Sequence, residues 1–356
     1  MGQVKKQKIK YKNVSIALAI ILIILLAIST ACSHDNKKED KTVESSSVQE
    51  VDSKEEQKQV KNFKYITVEN DKALGKGVLA LVNDKNPWKL DEADNLDGIY
   101  GYMFDKDNNQ ICRASSTNIQ GNKNMLKYLN SMLVDFNADS DNNNVVISNI
   151  YSGDSDDKTN ADSPEHITGY AVDFNTYDAG SGTFPLFKAD GEYRWIGENC
   201  WKYGFIQRYK STKASITNVD EKTNHYRYVG YVNAEIMTKN NLCLEEYVDY
   251  LKKYSVDKPL DFQSENGAEY MLYYISAGKE KSVKLPILLN DDGSEYKYGY
   301  SGNNIDGYIV WIKMSDEIFT DSSVLEISTQ SNETSEDSSE NADDTSYQNE
   351  SIDSQE

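Results

Sequence analysis

The spacing of apolar positions divides the chain into an apolar run near its start, a long middle that alternates helical and strand periods, and polar stretches on either side of that middle. From Val14 to Ile28 the apolar residues are interrupted only by Ser15. In the middle, Gly77-Val78-Leu79-Ala80-Leu81-Val82-Asn83 reads as a buried strand, and Met125, Leu129, Met132, Leu133 and Phe136 recur along one helical face. Val145 to Ser148 predicts a second short strand. Trp195, Ile196, Cys200 and Tyr203 share a helical face that Gly204 is placed to end. Tyr226 to Val232 predicts a strand, and Leu242 to Tyr254 a helix before Pro259. Three β-rich segments follow, at Met271–Ile275, Val283–Leu289 and Tyr308–Ile312, separated by Asp-Asp-Gly and Gly-Asn-Asn turns. The pattern predicts an α+β fold with a largely antiparallel sheet and packed helices. Residues 62–258 form its body and residues 259–314 a β-rich C-terminal extension of the same domain, a length sufficient for a sizeable core.

The flanks change the picture of where such a domain works. Lys5, Lys6, Lys8, Lys10 and Lys12 precede the apolar run, the arrangement of a secretory signal. The run is shorter than the roughly 20 residues that cross a bilayer as a helix. It ends at Ser29-Thr30-Ala31-Cys32-Ser33, which resembles a lipobox. That predicts a lipoprotein signal peptide at 1–31 and a lipid anchor on Cys32, holding the domain at the outer face of the cytoplasmic membrane. An uncleaved anchor helix with Cys32 incidental is the alternative, and it places the domain on the same side. Residues 32–61 are Lys, Glu, Asp, Ser and Gln with few large apolar residues, the composition of a disordered tether. Residues 315–356 contain no Lys or Arg and predict an acidic disordered tail. The tail carries much of the net charge of −20, which excludes nucleic acid as a natural partner.

Within the middle, Cys112, Cys200 and Cys243 form no CxxC pair, so a cysteine zinc site is not expected. One disulfide with one free thiol, or three buried thiols, both fit. Histidine is scarcer. His34 lies in the tether, leaving His166 and His225. A carboxylate, Asp173, follows His166 by seven residues, and two imidazoles with one carboxylate are a set that catalytic zinc commonly uses. The spacing alone also fits two unrelated histidines satisfied by hydrogen bonds.

The surroundings of these residues carry more. His166-Ile167-Thr168-Gly169-Tyr170-Ala171-Val172-Asp173 resembles the HxTGxAVD signature of the VanY-like D-alanyl-D-alanine carboxypeptidases. Glu198 to Tyr209 is similar to that family's ENAxKYGFILRY segment, and His225-Tyr226-Arg227-Tyr228-Val229-Gly230 to its HxRYVG segment. Gly77 to Asn83 resembles its GxLxLVN strand, and the likeness extends in order over most of residues 75–254. The resemblance implies that His166, Asp173 and His225 hold zinc and that the terminal D-alanine of peptidoglycan stem peptides is removed. It further implies a glutamate that takes up a proton and an arginine that supports the charged transition state.

Two positions depart from the family pattern. The family writes EPWHxRYVG, with its glutamate three residues before the histidine, and Lys222 stands there. Glu221, one residue earlier, is the candidate displaced base. Where the family has SGYRS, this chain has Ser148-Asn149-Ile150-Tyr151-Ser152, so Tyr151 occupies the arginine position without a guanidinium charge. The alternative is therefore a pseudoenzyme that keeps zinc and binds wall peptides or a partner. Arg208 and Arg227, inside the matched segments, are placed either to hold a peptide carboxylate or to form structural ion pairs.

Overall fold

A computed structural model describes residues 62–88, 90, 93–151 and 164–315. The signal segment, Cys32, the tether and the acidic tail from residue 316 onward lie outside the described residues. Among the described residues no helix is long and apolar enough to cross a membrane.

A five-stranded sheet positions the site. It is built from β3 (Arg113–Ala114), β5 (Val145–Asn149), β6 (Ala171–Thr176), β7 (Phe205–Tyr209) and β8 (Lys222–Tyr228), in the order β3-β5-β6-β8-β7. Only the β3–β5 pair is parallel. Helix α1 (Lys123–Ser140) packs on it through Met125, Leu126, Leu129, Met132, Leu133 and Phe136, all buried. The helix starts where the Asn122 side chain accepts hydrogen bonds from the backbone of Asn124 and Met125, satisfying donors that the first turn leaves open. The opposing face of the sheet contributes Val145, Ile147, Val172, Phe174, Phe205, Tyr226 and Tyr228 to the same core. A small pair, β2 (Leu96–Gly98) with β4 (Gln120–Asn122), leads into α1.

The second layer is a four-stranded antiparallel sheet of β9 (Leu260–Gln263), β10 (Glu269–Ser276), β12 (Lys297–Gly302) and β13 (Gly307–Lys313), ordered β12-β13-β10-β9. Helices α3 (Tyr231–Lys239) and α4 (Leu244–Leu251) bury their apolar faces with Leu272 and Ile309. Helix α2 (Arg194–Asn199) and the tight turn after it end at Gly204, as its sequence predicts. Strand β1 (Phe63–Glu69) pairs along its whole length with β11 (Ser282–Leu288), so the start of the body is fastened to the C-terminal extension. Cys112, Cys200 and Cys243 are free, buried thiols.

Two sequence expectations are corrected. Residues 77–83, buried from Leu79 to Val82, are irregular rather than a strand. Their backbone groups are taken by side chains and turns from afar: Leu79 N–H donates to Ser301 Oγ at 2.9 Å, and Arg227 donates to the Val78 and Ala80 carbonyls at 3.2 and 3.1 Å. These partners take the place of ladder hydrogen bonds for the groups they engage. The strand predicted from Tyr226 to Val232 instead begins at Lys222 and stops at Tyr228. Gly230, at φ +80°, turns the chain so that Tyr231 and Val232 open a helix.

Candidate metal centre

His166, Asp173 and His225 converge, each offering one ligand atom, with those atoms within 4.8 Å of one another. Local chain geometry explains the convergence. His166 sits in a short 3₁₀ turn, Pro164–Thr168, that feeds β6. Asp173 on β6 lies directly opposite His225 on β8 in the antiparallel register, which puts both side chains on one face of the sheet. His225 Nδ1 lies 2.6 Å from Asp173 Oδ1, and His166 Nε2 lies 3.0 Å from Asp173 Oδ2. Both imidazoles are essentially fully buried, whereas Asp173 keeps 22% of its side chain exposed, so the cluster opens to solvent on the carboxylate side.

Each histidine is also engaged on its outer edge. His166 Nδ1 lies 2.6 Å from the Ile150 carbonyl oxygen, which fixes that nitrogen as a donor and leaves Nε2 for a ligand. His225 Nε2 lies 3.1 Å from Glu165 Oε1, leaving Nδ1. Glu165 is completely buried and receives Arg227 Nη1 at 2.8 Å and Arg208 Nε at 3.2 and 3.3 Å. Arg208 in turn pairs with both oxygens of Glu245 at 2.7 and 2.9 Å. Burial alone would raise the Glu165 pKa. The Arg208 charge, the His225 hydrogen bond and Arg227 overcome it and hold the carboxyl well below the usual range. Burial would likewise raise Asp173, but the hydrogen bonds from His166 and His225 bring it below its ordinary value. Arg208 and Arg227 are thus committed to buried carboxylates and carbonyls rather than placed to receive a peptide carboxylate.

The donor set fits a zinc ion. Two imidazole nitrogens with their ring orientation fixed from behind, and a partly open carboxylate, are what a three-ligand catalytic zinc site requires. The proton-handling positions look different. Lys222 reaches over the Tyr209 ring at 5.9 Å, and that ring lies 5.2 Å from the His225 ring. Glu221 is exposed and accepts a long 3.4 Å hydrogen bond from Ser211 N–H. Tyr151 is half-buried, and its backbone N–H donates to Gln120. Glu221, Lys222, Tyr209 and Pro164 line a cleft of about 690 Å³ with Asp84, Lys85 and Ile216. This size falls among ligand-binding clefts.

Glu165 and the Ile150 carbonyl were not foreseen as parts of the site. The signal was present for Glu165: it precedes His166 directly, and Arg208 and Arg227 both lie within strand segments of the core, where a buried arginine requires a partner.

An α+β fold bearing a His–Asp–His cluster on one face of its central sheet is the arrangement of a zinc peptidase. Residues 155–231 match the family described as VanY: D-alanyl-D-alanine carboxypeptidase. A D-alanyl-D-alanine carboxypeptidase of Enterococcus faecium is 38% identical over 148 residues, covering 42% of this chain and 43% of its own. The putative carboxypeptidase YodJ of Bacillus subtilis (strain 168) is 38% identical over 89 residues, 25% of this chain and 33% of its own. The chain therefore spans less than half the length of these relatives. Among solved structures, the vancomycin resistance D,D-dipeptidase VanXYg in complex with a D-Ala-D-Ala phosphinate analog superposes with a TM-score of 0.58 at 26% identity, over 71% of this chain and 99% of its own. Residues 155–231 thus form a VanY-like domain within this chain.

Proposed function

We propose that this chain is a wall-facing lipoprotein of the zinc D-alanyl-D-alanine carboxypeptidase type, hydrolysing the terminal D-alanine of peptidoglycan stem peptides. The observation that supports it best is the convergence of His166, Asp173 and His225, each histidine oriented from behind, inside the segment that matches the family. In this reading His166 Nε2, His225 Nδ1 and Asp173 hold the zinc. Lewis acidity toward a peptide carbonyl and toward water is what the ion supplies when bound. Glu165 keeps the His225 ring in place and balances Arg208 and Arg227, so the ligand geometry survives substrate entry. The cleft beside Tyr209 admits the peptide, and its wall carries carboxylates, Glu221 among them, from which the group that takes the proton is drawn. Residues 1–31 would direct export and Cys32 would carry the lipid.

A second reading is favoured by one observation: Lys222, a cation, stands at the family's base position with its ammonium over Tyr209. In that reading the chain retains zinc and binds wall peptides or a partner without hydrolysis.

The experiment is D-alanine release from a stem pentapeptide by the purified chain, with zinc content determined on the same sample. Zinc near one per chain with release establishes the carboxypeptidase. Zinc without release establishes the second reading, and absence of zinc at saturating metal removes both. Palmitate labelling that is lost in Cys32→Ala tests the anchor.

A further inference from the structure

The turn between β12 and β13, far along the chain in the C-terminal extension, is bonded to the irregular segment near the start of the body. Gly302 ends β12 with its N–H on the Lys76 carbonyl at 2.8 Å, and a Cβ there would collide with the carbonyl oxygens of Ala73 and Leu74, so glycine is what lets the two backbones touch. Asn303 folds the turn on itself: its Oδ1 accepts from the N–H groups of Ile305 and Asp306 at 2.9 Å and of Gly307 at 3.0 Å. Asn304, fully buried, takes the left-handed conformation at φ +60°, which asparagine adopts more readily than most side chains. Its Nδ2 donates to the carbonyls of Leu81 at 3.0 Å, Asn86 at 3.2 Å and Pro87 at 3.2 Å. The Leu81 N–H in return donates to the Asn303 carbonyl at 3.2 Å.

Those three carbonyls lie on the two limbs of a tight turn. Asn83 and Asn86 exchange backbone hydrogen bonds at 3.1 and 3.0 Å, and Asn83 Oδ1 accepts from the N–H groups of Lys85 and Asn86 at 3.1 and 3.0 Å. The one amide of Asn304 therefore ties the limb before the turn, at Leu81, to the limb after it, at Asn86 and Pro87. Leu81, Asn83, Asp84, Lys85, Asn86 and Ile305 all line the cleft that Tyr209, Glu221 and Lys222 also line. Asp84 and Lys85 at the tip are exposed. A wall made of an exposed turn keeps its shape only while its backbone is tied, since segments with few buried contacts open at little cost. We infer that Asn304 is a positioning residue for the peptide: it holds the turn at residues 81–87 as a wall of the cleft and so makes the C-terminal extension part of the substrate site. The inference rests on the proposed binding of a stem peptide in that cleft, with or without hydrolysis.

The test is calorimetric titration of the full chain, with zinc present, by a stem pentapeptide ending in D-Ala-D-Ala. Asn304→Gly keeps the left-handed backbone and removes the amide. It is expected to weaken the pentapeptide about tenfold, the size of a lost hydrogen-bond anchor, while zinc affinity stays unchanged. Amide hydrogen exchange at Leu81, Asn83 and Asn86 should quicken in the same variant. In a chain that releases D-alanine, the change should fall on KM rather than on kcat. Asn83→Ala loosens the turn from its half-buried side, leaves Asn304 in place, and should weaken the pentapeptide about threefold. Unchanged pentapeptide affinity in Asn304→Gly overturns the inference, and should that variant not fold, unchanged affinity in Asn83→Ala does so instead. Zinc affinity that falls in step with peptide affinity also overturns it, because Asn304 would then support the fold as a whole. A native chain that binds no pentapeptide overturns the proposed function and this inference with it, an outcome distinct from a native chain that binds and a variant that binds equally well.

Discussion

The two ends of strand β8 are built differently. From His225 to Tyr228 every residue is buried, and the pairing with β6 and β7 is regular. His225 and Arg227 there close a network in which Glu165, Arg208 and Glu245 leave no charge unanswered. From Lys222 to Asn224 the residues are half-buried, and the register with β7 shifts between Gln207 and Tyr209. The locked end carries His225, one of the three residues that could hold a metal. The shifted end is where the family keeps the residue that moves a proton, and there this chain has a cation. The candidate metal ligand and the position where the resemblance expects the proton-transfer residue thus lie on differently ordered parts of a single strand.

The strongest way to break this comparison is Lys222→Glu. A positioned general base contributes about 10²–10⁴-fold to such reactions, so the substitution should raise D-alanine release by that order if the shifted end is the defect. Unchanged or reduced release would show that the two ends work together in a way the family pattern does not describe. Next in size is Glu165→Ala, which removes one partner from a fully buried ionic network and should destabilise the protein by about 3–5 kcal/mol. Chemical denaturation measures it. A loss below 1 kcal/mol, of the size typical of exposed pairs, would mean that the locked end is not locked.

Glu165→Gln separates metal holding from folding. It keeps the volume and one acceptor for His225, so the fold should persist while zinc affinity falls about 10–100-fold, as loss of an outer partner of a ligating histidine does. Competition with a chromophoric chelator reads this directly. The same assay carries a pH signature. Burial alone would lower the His225 pKa, but hydrogen bonds to Asp173 and Glu165 raise it above its ordinary value in the metal-free chain. Zinc must then displace a proton, so its affinity should fall as pH drops through that raised value, and titrations in buffers of different ionisation enthalpy should report proton release. Affinity that stays flat from neutral to mildly acidic pH would contradict the network.

How much of this was legible in the sequence depended on how far each partner lies along the chain. Helix α1 could be read because Met125, Leu129, Met132, Leu133 and Phe136 repeat at helical spacing, and the structure adds Leu126 and the Asn122 cap. Strands β10, β11 and β13 could be read from short apolar, β-branched runs between turns. The segment at residues 77–83 could not, because its backbone partners, Arg227, Ser301 and Asn303, are donated from more than 140 residues away. His166 and Asp173 are neighbours in sequence and formed a recognisable motif. That Asp173 stands opposite His225 is a matter of sheet register, and that Glu165 stands behind it follows only once both arginines are seen to converge.

Glu221 offers the smallest expected effect and the sharpest question about the shifted end. It is exposed, the hydrogen bond it accepts from Ser211 N–H is long at 3.4 Å, and it lies just before β8 rather than within it. A group so loosely held does not keep the orientation that proton transfer at a fixed metal demands. Glu221→Gln should therefore alter stability by no more than about 0.5 kcal/mol, as surface substitutions do. Whatever D-alanine release the native chain shows should be preserved. A loss of about a hundredfold with zinc content intact would instead make Glu221 the base. It would then follow that the register shift in β8 re-aims the preceding carboxylate into the position that Lys222 vacates, and that the two ends of the strand had changed in concert.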